Sequence, residues 1–494
     1  MKKNMIMILT DQHTYTTLSA YGSTVCKTPN LDELAKDSVI FDRAYTVCPI
    51  CTPARASIQT GVYPSKHGMV TNVYSKGCMV HELPDSPYLL SRRLQEQGYA
   101  IGYTGKWHLG SGLDRKFLGG VEYPWIADLV KHSGLPSDVG YEGNDFAGHG
   151  GIGDQYDVFH QYLSNRGKTY ETRILHHEYP RAAEIISGID TSVPHFLVDQ
   201  TINKINDFHT RNKPYFYMLN FWQPHEPYYV PTEFLDIYRH MTFNPWETFS
   251  QDSQQFPMIH NVERGMNVVW EEVQEYIKYY YAAITQIDYE IGRLISFLKD
   301  INQYDDTVII FSADHGETLG VHGGLSDKGL DMFEETVHIP LYLKVPGIKS
   351  QRKNHLVNTC DLYSTILDIA GVERKLSERD GRSLMRIFED TPWREFVVSE
   401  SSGLDFMSYT QRMIRNDRYK FVFHAGDKDE LYDLELDPFE KQNLASSSKH
   451  ALTCINMLKA LRTWLVEHND GLIVRYDNLM HAKIKIYEMN VFHE

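Results

Sequence analysis

Along the chain, short runs of nearly unbroken apolar residues alternate with stretches in which apolar residues recur every three or four positions. The clearest runs are residues 4–9 (NMIMIL), 99–104 (YAIGYT), 215–221 (YFYMLNF) and 307–311 (TVIIF). Strands covered on both faces read this way, whereas a half-exposed strand alternates apolar with polar residues. Helical spacing is strongest in 86–98, which ends at Gly98, and in the long amphipathic segment 271–300, whose aromatics are core residues. Strand and helix in alternation predict an α/β fold, a mostly parallel sheet sandwiched by helices. After about residue 372 the texture changes. Residues 396–401, 408–416, 419–426 and 430–437 read as antiparallel strands with polar turns, and 450–468 as an amphipathic helix. A large domain over 1–372 and a smaller C-terminal α+β domain over 373–494 are therefore expected. The tail from 471 is either an arm on a second subunit, which would make a homo-oligomer, or a segment packed on its own domain. Residues 136–160 and 241–266 read as long loops, either substrate walls or surface insertions.

The residues after the apolar runs carry the chemistry. The first run leads into Asp11 and Gln12, and the second into Lys106 and His108 in GKWHLG. The third leads into His225 in QPHEP, and the fourth into Asp314 and His315 in SADHGE. Ligands bind at the carboxyl ends of strands in open α/β sheets, so four strands delivering titratable groups there mark a site. Taken singly, His108 and His225 would each read as structural histidines and Lys328 as a solvated lysine. Asn72 reads equally as a substrate contact or a turn residue. Glu317 and His322 are expected to support structure.

Composition narrows the function. The chain has 494 residues, of which 42% are hydrophobic and 23% charged, which is ordinary for a soluble globular protein. Its formal net charge of −16 disfavours nucleic acid and acidic membranes as partners. An anionic substrate must then be held by a local cluster of cations. The N-terminal apolar stretch is too short for a signal peptide and no run is long enough to span a bilayer, so a cytoplasmic protein is expected, with a removed leader left open. Six cysteines in so long a chain are too few for a disulfide scaffold and are expected as thiols.

The stretch CPICTPARASIQTG, residues 48–61, resolves less simply. Its C-x-x-C lacks the small-domain context of a redox pair and the second ligand pair of a zinc site. Only three residues separate Cys51 from Arg55, too few for a phosphatase thiolate cradle. A buried structural cysteine remains open. Pro53 and the residues to Gly61 place Cys51 at a helix N-terminus, where N–H groups favour an anion, and Arg55 one turn further on can fold back toward residue 51.

CTPARASIQTG resembles the sulfatase signature C-x-P-x-R followed by a T-G pair. GKWHLG, QPHEP, SADHGE, SDKGLDMFEE and ELYDLELDPFEKQNLA resemble further sulfatase blocks, in the family's order, over most of the chain. The resemblance implies an alkaline-phosphatase-like fold and a sulfuric ester hydrolase whose Cys51 is converted to formylglycine by a maturation enzyme. It implies a divalent cation on Asp11, Gln12, Asp314, His315 and residue 51. A hydroxyl of the hydrated aldehyde, with Asp314 as base, would attack sulfur. His225 would protonate the leaving alcohol, and His108 would take the proton that lets the sulfated intermediate collapse. Lys106 and Lys328 would neutralise the sulfuryl oxygens, Arg55 would hold residue 51, and Cys48 would only pack. Gln12 and His315 depart from the commoner Asp and Asn. Calcium is the first choice of metal and manganese the alternative, because an imidazole suits manganese better. The same pair occurs in phosphonate monoester hydrolases, which keeps a phosphonate or phosphodiester substrate as the alternative. A non-catalytic anion-binding relative is a third reading. A sugar sulfate is the expected substrate class, with the two long loops choosing the alcohol.

Overall fold

The computed structural model describes residues 2–491 except 74, 76–77, 111–133, 149–150, 175–180, 264–267, 373–379, 390 and 405–406. The four apolar runs form strands β1 (Asn4–Thr10), β3 (Ala100–Gly105), β4 (Tyr215–Asn220) and β5 (Thr307–Ala313), with β2 at Val39–Tyr45. With β6 (Leu341–Lys344) and β7 (Gln351–Asn358), plus short edge strands at Glu142–Gly143 and His338–Ile339, they make one nine-stranded sheet. At its centre β5, β1, β4 and β3 lie side by side and parallel, while β6 pairs antiparallel with β5 and β2.

Alternation along each strand divides the core into two layers. Met5, Met7 and Leu9 face one side with Ile101, Met218 and Ile310. There they meet helices α1 (Cys51–Thr60), α2 (Leu90–Glu96) and α5 (Thr359–Ile369). Ile6 and Ile8 face the other side with Tyr217, Leu219 and Phe311, against α3 (Val193–Thr210) and the 31-residue α4 (Trp270–Asp300). Helix α2 is shorter than the expected 86–98, because a turn from Ser86 to Leu89 precedes it and Gly98 follows at φ 78°.

The C-terminal strands are β8 (Val397–Leu404), β9 (Met407–Arg415), β10 (Tyr419–His424) and β11 (Glu430–Asp433), an antiparallel four-stranded sheet. The expected boundary after residue 372 falls beside 373–379, outside the described residues. Helix α6 (Ala451–Glu467) covers this sheet. The tail forms a further helix, α7 (Leu472–Val491), whose Met480, Ile484 and Tyr487 bury against α6 and β10 of the same chain. Of the two expected readings of the tail, packing on its own domain is the observed one. No helix among the described residues is long and apolar enough to cross a membrane.

Candidate active site

The parallel register sets the strand ends level. Leu9 pairs with both Asn220 and Ser312, and Gly105 pairs with Asn220. Asp11, Lys106 and Asp314 therefore emerge side by side, and His225 follows β4 by a short loop whose Gln223–Pro224 and Glu226–Pro227 bonds are cis. Helix α1 starts at Cys51, as expected, and ends on Gly61 at φ 71°. Its N-terminus points residue 51 at the strand ends. Asn72 fixes that end, its Oδ1 accepting from the Thr52 N–H at 3.3 Å.

Four of the five expected metal ligands converge. Donor atoms of Asp11, Cys51, Asp314 and His315 all lie within 4.8 Å of one another, and all four residues are buried. Cys51 Sγ is 3.2 Å from His315 Nε2, 3.6 Å from Lys106 Nζ and 3.8 Å from Asp11 Oδ1. The imidazole of His315 donates Nδ1–H to the Gly316 carbonyl at 3.0 Å, which turns the Nε2 lone pair toward the cluster, the tautomer a metal ligand needs. Burial works against a proton on His315, but Asp314 and Cys51 outweigh it and raise its pKa to about 9. Gln12, the fifth expected ligand, stands beside the cluster. Its Oε1 accepts from Lys328 Nζ at 2.5 Å, and its Nε2 donates to Glu317 and, at 3.0 Å, to Asp327.

Arg55 differs from expectation. Among the described contacts it does not hold residue 51. Its Nε donates to Asp314 Oδ2 and its Nη2 to Asp11 Oδ2, each at 2.8 Å, and its Nη1 donates to the Lys106 carbonyl at 3.0 Å. The planar fork of guanidinium matches two carboxylates better than one thiol, so the side chain spans the two strand ends. Burial opposes its charge, yet Asp314 and Asp11 keep the guanidinium above its ordinary value. Burial likewise raises the Asp11 carboxyl, and Lys106 at 2.6 Å and Arg55 overcome this and hold it well below the usual range. Asp314 is fully engaged, its Oδ1 accepting the Gln12 and His315 N–H groups and its Oδ2 accepting Arg55. The carboxylate oxygen in contact with the Cys51 sulfur belongs to Asp11 rather than to Asp314, the expected base.

The opposite wall is built on His225 and Lys328. Lys328 Nζ lies 2.9 Å from His225 Nε2 and 2.8 Å from Asp327 Oδ1. The His225 Nδ1–H donates to the Glu226 carbonyl at 2.5 Å, so its Nε2 accepts from Lys328. Burial, Lys328 and Lys106 push the His225 pKa down to about 3. Burial also opposes the Lys328 charge, and Asp327 and Cys51 raise it well above the ordinary lysine value. His108 is pinned by its backbone, which donates to Ala147 O at 2.9 Å and accepts the Thr52 hydroxyl at 2.7 Å.

Gln12 and His108 share a left-handed backbone, φ 58° and 57°, a costly conformation outside glycine that clusters at functional sites. Tyr280 of α4 holds the first of these, donating to the Gln12 carbonyl at 2.7 Å and accepting the Thr14 N–H at 2.9 Å. Sequence reasoning took that tyrosine for packing. It also missed Asp327, which sits in SDKGLDMFEE beside Lys328. Glu317 and His322 are supporting residues. The first orients the Gln12 amide, and the second stacks on Phe333 at 3.6 Å, grouped with Glu335 and Glu440 away from Cys51. Cys48 is buried, its thiol pushed far up by burial and by Glu400, and all six cysteines are thiols.

A central parallel sheet with a separate antiparallel C-terminal sheet is the alkaline-phosphatase-like fold of the sulfuric ester hydrolases. The sulfatase family model matches residues 3–372, and that of the N-sulphoglucosamine sulphohydrolase C-terminal region matches 320–467. The chain belongs to the sulfatase family. It is 30% identical to a choline-sulfatase of Rhizobium meliloti, over 91% of this chain and 83% of that one. It is 25% identical to an N-acetylglucosamine-6-O-sulfatase of Bacteroides thetaiotaomicron, over 95% and 87%. A phosphonate monoester hydrolase of Agrobacterium radiobacter shares the fold at a TM-score of 0.77, with 23% identity over 94% of this chain and 96% of that one.

Proposed function

We propose that the protein hydrolyses a sulfate monoester of a small alcohol or sugar at residue 51, after conversion of Cys51 to formylglycine by a maturation enzyme. The observation that carries this reading is the meeting at Cys51 Sγ of His315, Lys106 and Asp11, each delivered by a different strand end. The donor set fits one divalent cation: two carboxylates, an Nε2 lone pair, and Gln12 alongside. Carboxylate and amide oxygens favour calcium, with manganese the alternative through the imidazole. When bound, the cation supplies Lewis-acid polarisation, and the hydrated aldehyde supplies a hydroxyl nucleophile.

The chain's own residues do the rest. Arg55 fixes Asp11 and Asp314 and helps keep Asp11 ionised. Lys106 and Lys328 bind the sulfuryl oxygens and offset their charge. Asp314 or Asp11, both with a carboxylate oxygen within 4.8 Å of Cys51 Sγ, accepts the proton from residue 51. His225 serves the leaving oxygen. Its Nε2 accepts from Lys328 in the free enzyme, so it takes up its proton once an anion lies against Lys328 and Lys106 and weakens the field that depresses its pKa. His108 takes the proton of the second hydroxyl.

The Gln12 and His315 pair favours a second reading, hydrolysis of phosphonate monoesters or phosphodiesters. Steady-state kinetics on an aryl sulfate and the matching aryl phosphonate ester separate the two. A higher kcat/KM for the sulfate is expected, and far slower turnover of the sulfate would overturn the proposal.

A further inference from the structure

Next to the centre lies a cavity of about 400 Å³, within the range of small-molecule sites. Its lining residues adjoin the reacting groups. Glu226 follows His225, Asp327 precedes Lys328, and both Glu317 and Asp327 hold the Gln12 amide. Neither of the long loops at 136–160 and 241–266 contributes to its described lining.

Its charge is opposite to that of the centre. Glu226, Glu272, Glu317 and Asp327 face it, against Arg181 as the one cationic side chain among the described lining residues. Arg181 stands against Glu226, with Nε 3.5 Å from Oε2. Burial and Asp327 raise the Glu226 carboxyl, a crowding of negative charge that a cation relieves. Two rings complete the wall: Tyr228, which is buried, and Tyr276, with centroids 6.4 Å apart and planes at 52°. Carboxylates with aromatic faces attract alkylammonium groups, whereas a uronate or a second sulfate would be repelled.

We infer that this cavity receives the alcohol part of the substrate, and that this part carries an ammonium or quaternary ammonium group. The inference rests on the sulfatase reading above and narrows it to sulfate esters of cationic amino alcohols. Sulfate then lies against Lys106 and Lys328, and the cation among Glu226, Glu272 and the two tyrosines.

The test uses the matured enzyme with its divalent cation. It compares kcat/KM for trimethylammonioethyl sulfate and for neohexyl sulfate, its uncharged isostere, with para-nitrophenyl sulfate as a control. The charged ester is expected to be preferred about tenfold or more. That preference is expected to shrink in Glu272→Gln, a change at an exposed rim position. Equal rates on the two esters, or preference for the neutral one, with the aryl sulfate still turned over, would overturn the inference and leave the sulfatase reading standing. Failure on all three esters would overturn both.

Discussion

Arg55 is the cation that joins Asp11 to Asp314, and its removal gives a quantitative test. The side chain is 3% exposed and pairs at 2.8 Å with Asp11 and with Asp314, both fully buried. Arg55→Met keeps most of the volume and removes the charge. Asp11 then retains Lys106 at 2.6 Å, and Asp314 retains the N–H groups of Gln12 and His315 and the His315 ring at 3.7 Å. Removing one partner of a buried ion pair costs about 3–5 kcal/mol, because the remaining charge is left uncompensated. With an unfolding entropy of about 2.1 cal/mol/K per residue, such a loss lowers Tm by about 4 °C in a chain of this length. A divalent cation placed among the same carboxylates supplies the missing charge. In chelator the variant should therefore unfold several degrees below wild type, and saturating calcium should raise its Tm by more than it raises that of wild type. Scanning calorimetry of both proteins, with chelator and with calcium, measures the two differences. A variant as stable as wild type in chelator, or a smaller calcium response than wild type, would refute the reasoning.

Two further outcomes are expected. Cys51→Ala should abolish turnover of every sulfate ester while leaving circular dichroism unchanged; retention of the wild-type rate would remove residue 51 from the chemistry. His67 is held neutral, with Nδ1 accepting the Met69 N–H and Nε2 donating to Ser57, and burial lowers its pKa from 6.5 to about 3. The unfolded chain binds that proton below about pH 6.5 and the folded chain does not until about pH 3, so stability is lost as pH falls through this window, by up to about 2 kcal/mol at pH 5. Urea unfolding at pH 7 and pH 5 should show a smaller decline in His67→Asn than in wild type; equal declines would show that His67 is not responsible.

The parts of the site legible in the sequence are those that secondary structure alone positions. Strands β1, β3, β4 and β5 are buried on both faces, so they appear as apolar runs, and the polar residue that follows each is forced to the sheet edge. Asp11, Lys106, His225, Asp314 and His315 were visible for that reason, and Cys51 was visible through Pro53 and Gly61 at the two ends of its helix. The direction of Arg55 was not, because helix geometry places its Cα but its partners come from the ends of β1 and β5, brought together only by sheet register. The left-handed backbones of Gln12 and His108 carry no sequence signal, since neither is glycine. The acidic cavity draws Arg181, Glu226, Glu272 and Asp327 from four separate segments. Tyr280 lies within an amphipathic helix whose buried face otherwise only packs, and its hydroxyl marks nothing until β1 is set against it.

Whether residue 51 acts as formylglycine is read from the mass of the peptide carrying it, taken from active protein purified from its native host. The expected peptide carries a residue that has lost its sulfur and gained an aldehyde oxygen. A fully active preparation in which that peptide has the mass of unmodified cysteine would contradict that role.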